Sequence, residues 1–140
     1  MNTSKLCLRA ENLSKEYKSE KGHVVYALDK TTIDIYENDF VCIVGPSGCG
    51  KSTLLRIIAG LETATTGKVF YNGKELKGTS KDIGMVFQQY SLLPWRTVED
   101  NITLGLEFKR ESKAVKKEVA EIYLEMIDMK EFRNAYPYEL

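Results

Sequence analysis

No apolar run in this sequence approaches the roughly 20 residues that a membrane-spanning helix needs, and the start, Met1-Asn2-Thr3-Ser4-Lys5, lacks the hydrophobic core of a secretion signal. A cytoplasmic location is the expectation. Charge of one sign is also missing: 20 basic residues balance 20 acidic ones, so no global field draws in nucleic acid or an anionic membrane, and no nucleic-acid partner is expected. Cysteines number 3, at 7, 42 and 49. An odd set without metal-ligand spacing argues for reduced thiols over a disulfide framework. The single histidine, His23, falls in the polar stretch Lys18-Ser19-Glu20-Lys21-Gly22-His23 and has no partner constellation, so it reads as a solvated side chain. There is no internal repeat and no low-complexity segment. What remains is a globular composition in a chain of 140 residues, the size of one domain, able to bury about two-thirds of its extended surface.

The most informative stretch is Gly45-Pro46-Ser47-Gly48-Cys49-Gly50-Lys51-Ser52-Thr53, which fits G-x-x-x-x-G-K-[ST]. It lies between the apolar run Phe40 to Val44 and a helical pattern from Leu54 to Leu61, the strand, loop and helix context that the motif requires. Glycines let successive N–H groups turn inward, and the helix opening at Lys51 adds its unsatisfied amides and positive dipole end, so a polyphosphate is the natural guest. Lys51 sets a compact ammonium against the terminal phosphates. The Ser52 hydroxyl suits one position of a magnesium ion that keeps most of its waters, and Thr53 adds a phosphate hydrogen bond. Cys49 sits in the loop either as an accessible thiol or simply as a small residue.

Around this loop the patterns alternate. Leu6 to Leu13 predicts a strand, as do Val24 to Leu28 and Ile33 to Tyr36, and their alternation suits an antiparallel sheet with one wet face. Phe40 to Val44 and Ile83 to Phe87 are uninterrupted apolar runs of the kind buried on both faces of a parallel sheet. Lys68 to Tyr71 pairs with Lys74 to Leu76 across Asn72-Gly73, a type I′ hairpin signal. Thr97 followed by Asp100 predicts a helix to about Arg110, and Ser112 caps a second one. In that second helix Val115, Val119, Ile122, Tyr123, Met126 and Ile127 read as core or partner-facing surface, with Lys113, Lys116, Lys117 and Glu118 on a solvated face.

Four stretches taken in order, Leu13-Ser14-Lys15-Glu16-Tyr17, the loop at 45 to 53, Val86-Phe87-Gln88, and Leu92-Leu93-Pro94-Trp95-Arg96-Thr97-Val98-Glu99-Asp100-Asn101-Ile102, resemble the ATP-binding subunit of ABC transporters. The last is most similar to importers of the nitrate, sulfonate and taurine group. The resemblance covers essentially the whole chain. It implies an α/β phosphate-loop NTPase core of the RecA-like kind with an antiparallel β subdomain over about residues 1–87, followed from about 88 to 140 by the glutamine loop and the start of a helical subdomain. It implies ATP and Mg2+ as cofactors, with Tyr17 stacking on adenine and Tyr26 as the competing aromatic. Gln88 would reach the metal and the attacking water, with Gln89 leaving the register open by one. The resemblance also implies membrane permease subunits docking at Leu92 to Arg96, a second ATPase subunit completing a dimer, a solute-binding protein acting indirectly, and a peripheral position on the inner face of the membrane.

In that family a Ser-Gly-Gly signature follows the segment matching Tyr136 to Leu140, and later come an apolar strand ending in Asp-Glu and a histidine. These 140 residues contain neither the signature nor the acid-ended apolar run, and their single histidine, His23, precedes the phosphate loop, so an incomplete cassette is expected, one that binds ATP without turning it over. The apolar runs at 40 to 44 and 83 to 87 are expected to lose neighbours and leave unpaired edges. The alternative function is a nucleotide-binding or interaction fragment that never hydrolyses.

Overall fold

The structure, a computed structural model, describes residues 5–89 and 91–140. It divides into two compact units, Met1–Val86 and Phe87–Leu140.

In the first unit, strand β1 (Leu6–Lys18) and strand β2 (Val24–Tyr36) pair antiparallel, helix α1 (Lys51–Ile58) follows, and strands β3 (Thr66–Tyr71) and β4 (Lys74–Glu75) close a sheet of order β2-β1-β3-β4. Both long strands outrun the sequence expectation. Leu6 to Leu13 continues to Lys18, and the two stretches expected in β2 are one strand. The cause is a set of irregularities that reset which face the side chains take. Leu8 and Ala10 point inward; then the ladder shifts between Ala10 and Leu13, with Asn12 at φ 49 donating its N–H to Thr32 Oγ1 at 3.0 Å, and Leu13 returns to the same face. A strict period of 2 therefore ends at Ala10 although the strand does not. The Asn72-Gly73 turn has φ of 47 and 75, the two positive values that a type I′ hairpin demands.

Leu8, Ala10, Leu13, Leu28 and Val69 of the sheet pack against Leu54 and Ile57 of α1, which covers one face. The other face is wet and carries exposed pairs such as the bidentate Arg9–Asp34 contact at 2.7 Å.

Two expected strands do not form. Phe40 to Val44 and Ile83 to Phe87 have no ladder partner among the described residues. Phe40 is 97% exposed and Val86 97% exposed, and within 40 to 44 only Ile43 packs against the core. A strand is stabilised by its neighbours' hydrogen bonds and side chains, so apolar residues alone do not produce one.

In the second unit, helix α2 (Val98–Phe108) begins as expected, with Thr97 Oγ1 accepting the Asp100 N–H at 3.2 Å. It stops short of Arg110, which takes φ 58. Helix α3 (Lys113–Met126) is capped by Ser112, whose Oγ accepts the Val115 N–H. The core between the helices is Val98, Ala120 and Leu124, supported by Ile102 and Met129. The apolar stripe does not form that core: Val115, Ile122, Tyr123, Met126 and Ile127 are exposed. Small Ala120 lies where the helices meet, and bulkier neighbours face outward. The carbonyls of Arg133 and Ala135 accept the N–H groups of Glu99 and Val98, satisfying first-turn donors of α2 that no helical carbonyl reaches.

Candidate nucleotide site around the phosphate loop

The loop from Gly45 to Gly50 leaves the core at Ile43 and turns through Ser47 and Gly48 into α1. Its last residue is fixed by a close approach. Gly50 takes φ 96, and a Cβ there would lie 2.4 Å from the carbonyl oxygen of Ala27, so only glycine lets the loop lie against β2. Gly50 also has no side chain to cap α1, leaving the amides of Lys51, Ser52 and Thr53 at an open helix start, where an anion is favoured. Lys51 folds back over the loop: its Nζ donates to Gly45 O at 2.8 Å and Pro46 O at 2.7 Å, with Cys49 Sγ at 3.7 Å. Those neutral acceptors hold the ammonium where phosphate oxygens, stronger acceptors, can replace them.

The expected residues Gly45, Pro46, Ser47, Gly48, Cys49, Gly50, Lys51, Ser52 and Thr53 thus form one continuous surface feature, with Ser52 exposed and Thr53 half-buried. No group of three or more His, Cys, Asp or Glu side chains that could hold a metal exists among the described residues. A magnesium ion would fit here only as a companion of bound phosphates, with the exposed Ser52 hydroxyl able to supply one protein oxygen.

Tyr17 is 41% exposed near the end of β1, and Lys15 Nζ lies 4.9 Å from its ring centroid. That ammonium also donates to Thr63 O at 2.7 Å and pairs with Glu62 at 2.6 Å. The hydrogen bond from Lys15 holds the Glu62 carboxyl below its ordinary range despite partial desolvation. This brace was not foreseen; its signal was a lysine two positions before the tyrosine, hence on the same side of the strand. Tyr26, the competing aromatic, is 75% exposed on β2.

Gln88 and Gln89 are both exposed at the start of the second unit. In the loop Leu92 to Arg96, Leu92 is 51% and Trp95 70% exposed. Asn101 braces it from α2, accepting the Leu93 N–H at 2.8 Å and donating to the carbonyls of Leu93, Arg96 and Thr97. Arg96 forks onto Glu107. Asn101 stood inside the family-like stretch, but nothing in the residue pattern marked it as the brace.

The loop, the helix it opens and the sheet behind it define a phosphate-loop NTPase fold with an antiparallel β subdomain. Residues 28–140 match the family described as ABC transporter, and the chain belongs to that family. It is 51% identical over 97% of its length to an uncharacterized ABC transporter ATP-binding protein of Methanocaldococcus jannaschii, covering 51% of that protein. It is 43% identical over 95% of its length to a nitrate import ATP-binding protein of Synechocystis, covering 50% of it. A taurine import ATP-binding protein of Rhizobium johnstonii is 40% identical over 95% of the chain, which covers 51% of that protein. Among solved structures, a dimeric ATP-binding cassette in a post-hydrolysis state with ADP and Pi superposes with a TM-score of 0.82 at 34% identity, over 95% of this chain and 62% of that one. The chain spans about half the length of the curated relatives it matches.

Proposed function

We propose that the chain is the nucleotide-binding part of an ATP-binding subunit that serves an importer of small oxyanions of the nitrate, sulfonate and taurine kind. The observation that carries nucleotide binding is the loop geometry: open amides at the α1 start, a backbone held against β2 by Gly50, and a Lys51 ammonium parked on exchangeable carbonyls; the import role rests on the relatives. ATP supplies the triphosphate and Mg2+ neutralises it. The loop amides and Lys51 hold the phosphates, the Ser52 hydroxyl offers one oxygen to the metal, and Thr53 adds a phosphate contact. Tyr17 as an adenine contact and Gln88 as a metal and water contact are proposed from their motifs. The exposed Leu92 and Trp95, held in place by Asn101, offer an apolar anchor with a charged neighbour in Arg96, the composition of a docking surface for a permease subunit. The dimeric neighbour supports a second ATPase subunit and the import ATP-binding relatives support an import role; an indirect solute-binding protein and a position at the inner membrane face are proposed from the family resemblance. No helix among the described residues is long and apolar enough to cross a membrane.

Calorimetry of the 140-residue chain with Mg-ATP tests the core of this reading. Binding is expected, with at least a tenfold loss in Lys51→Ala, the size of effect of removing one charged hydrogen-bond partner. No uptake of Mg-ATP by folded protein would refute it. Phosphate release by residues 1–140 alone is expected at background, because no run of four apolar residues followed by paired acids occurs in their sequence and each lost stabilising group costs about a hundred- to a thousand-fold in rate. Turnover that Lys51→Ala abolishes would overturn that part.

A further inference from the structure

We propose that Lys15 is a positioning residue for the base contact: its ammonium, anchored on Glu62 and the Thr63 carbonyl, fixes the ring of Tyr17 in the orientation that receives adenine. The proposal rests on the nucleotide-binding reading above, with Tyr17 as its aromatic. The ladder shows why such a device is needed. β1 pairs with β3 only as far as Ser14 and Thr66, whereas its pairing with β2 runs on to Lys18. From Lys15 onward the strand has a neighbour on one side only, and opposite Tyr17 that neighbour is Val25, itself 60% exposed. Tyr17 also lies outside the hydrophobic core, so neither ladder nor apolar packing fixes its ring.

The open side is filled from the segment that leaves α1. Thr65 donates its N–H to the Ser14 carbonyl at 2.7 Å, and its Oγ1 accepts the Glu16 N–H at 2.9 Å. Lys15 completes this stitching through the Thr63 carbonyl and Glu62. Its side chain is only 14% exposed, so its ammonium has lost much of its hydration and its three donors need fixed partners. Two directions are taken by the carbonyl and the carboxylate. The ring of Tyr17, with its centroid 4.9 Å from Nζ, is within the range of a cation–π contact. The Tyr17 hydroxyl adds to the depression of the Glu62 carboxyl that Lys15 dominates, so the carboxylate faces the tip of the ring as well as the ammonium. A cation over one face of the ring leaves the opposite face for a planar base. Because Glu62 and Thr63 follow the helix that opens at the phosphate loop, ring and loop belong to one frame.

The test is a set of calorimetric titrations of the full chain with Mg-ATP and Mg-tripolyphosphate, on the unaltered protein, Lys15→Gln, Lys15→Arg, Tyr17→Ala and the double variant Lys15→Gln with Tyr17→Ala. Lys15→Gln is expected to raise the ATP Kd about three- to fivefold, the strength of one partly exposed cation–π contact, with tripolyphosphate affinity unchanged. Lys15→Arg keeps a cation over the ring and is expected to stay near the unaltered value. In the Tyr17→Ala background Lys15→Gln is expected to have no further effect, because a residue that acts through the ring loses its influence with it. An ATP Kd unmoved by Lys15→Gln but raised by Tyr17→Ala overturns the positioning role and leaves Tyr17 and the phosphate site standing. Equal loss of both probes in Lys15→Gln, or effects of the two substitutions that simply add, also overturn it, because Lys15 would then support the fold and not the ring. If Tyr17→Ala binds ATP as the unaltered protein does, Tyr17 is not the base contact and the proposal falls while the phosphate site remains. If the folded, unaltered protein binds neither probe, the nucleotide-binding reading falls and this role with it.

Discussion

Two apolar stretches of the first unit, read side by side, behave in opposite ways. β1 mixes Leu8, Ala10 and Leu13 with Arg9, Glu11 and Asn12, yet it is a strand of 13 residues paired on both sides, with Ala10 and Leu13 at 0% exposure. Phe40 to Val44 is apolar throughout, but it pairs with nothing described, and Phe40 and Val44 are 97% and 85% exposed. Hydrophobicity sets what a segment gains from burial. Whether a strand exists depends on neighbours that supply hydrogen bonds and a packing surface. β1 has β2 and β3 close in the chain. Of the run at 40 to 44, only Ile43 packs against the core.

The sharpest way to break that contrast is to truncate one residue from each stretch. Leu13→Ala removes a side chain at 0% exposure from the junction of sheet and α1 and is expected to cost about 2–5 kcal/mol. Phe40→Ser alters a residue at 97% exposure and is expected to stay within about 0.5 kcal/mol, while reducing any concentration-dependent association seen by size-exclusion chromatography. Urea unfolding followed by far-UV circular dichroism measures both. Equal losses would mean that 40 to 44 is packed as firmly as β1, and the contrast would be gone.

A smaller effect is expected in the second unit, where the loop with the exposed Trp95 depends on one polar side chain instead of on an apolar core. Asn101→Ala leaves the Leu93 N–H without the Oδ1 acceptor now at 2.8 Å, at a cost of about 1–3 kcal/mol. Trp95 is the only tryptophan, so its fluorescence anisotropy reports on this loop alone. A drop is expected while helical ellipticity holds; unchanged anisotropy would show that packing, not Asn101, holds the loop.

The sequence carried the parts that are written locally. The turn from Gly45 to Gly50 into α1 could be read because its glycines permit that backbone, the Asn72-Gly73 turn because two positive φ values need those residues, and Thr97 and Ser112 because a cap is chosen by its own helix. The strands at 40 to 44 and 83 to 87 were misread, since an apolar run states an affinity for burial without naming its partner. The extent of β1 was misread because the shift around Asn12 hides the resumption of the same face at Leu13. Least visible were contacts between distant residues: Lys15 with Glu62, Asn101 with Leu93, and the Ala27 carbonyl against Gly50. A linear pattern does not encode these; the fold brings them together.

The smallest expected effect separates the two stretches by pH. Between Phe40 and Val44 there is no carboxyl group, so that segment adds nothing to acid sensitivity. The sheet unit does, through Glu62, which the Lys15 hydrogen bond holds below its ordinary value of 4.5. A carboxyl depressed in the folded state binds its proton more readily when unfolded. Its stabilising contribution is therefore complete above 4.5 and is lost as the pH falls through the lower folded value. Asp34, depressed by its hydrogen bonds from Arg9, acts in the same direction from an ordinary value of 3.8. Both pairs are on the surface, where solvent and salt weaken them, so the change is modest. Thermal midpoints of the unaltered chain and of Lys15→Gln, measured from pH 7 downward in low salt, are expected to differ most at neutral pH and to converge below the usual carboxylate range. Parallel curves would remove Glu62 from the account and leave Lys15 holding Tyr17 and the Thr63 carbonyl without help from its ion pair.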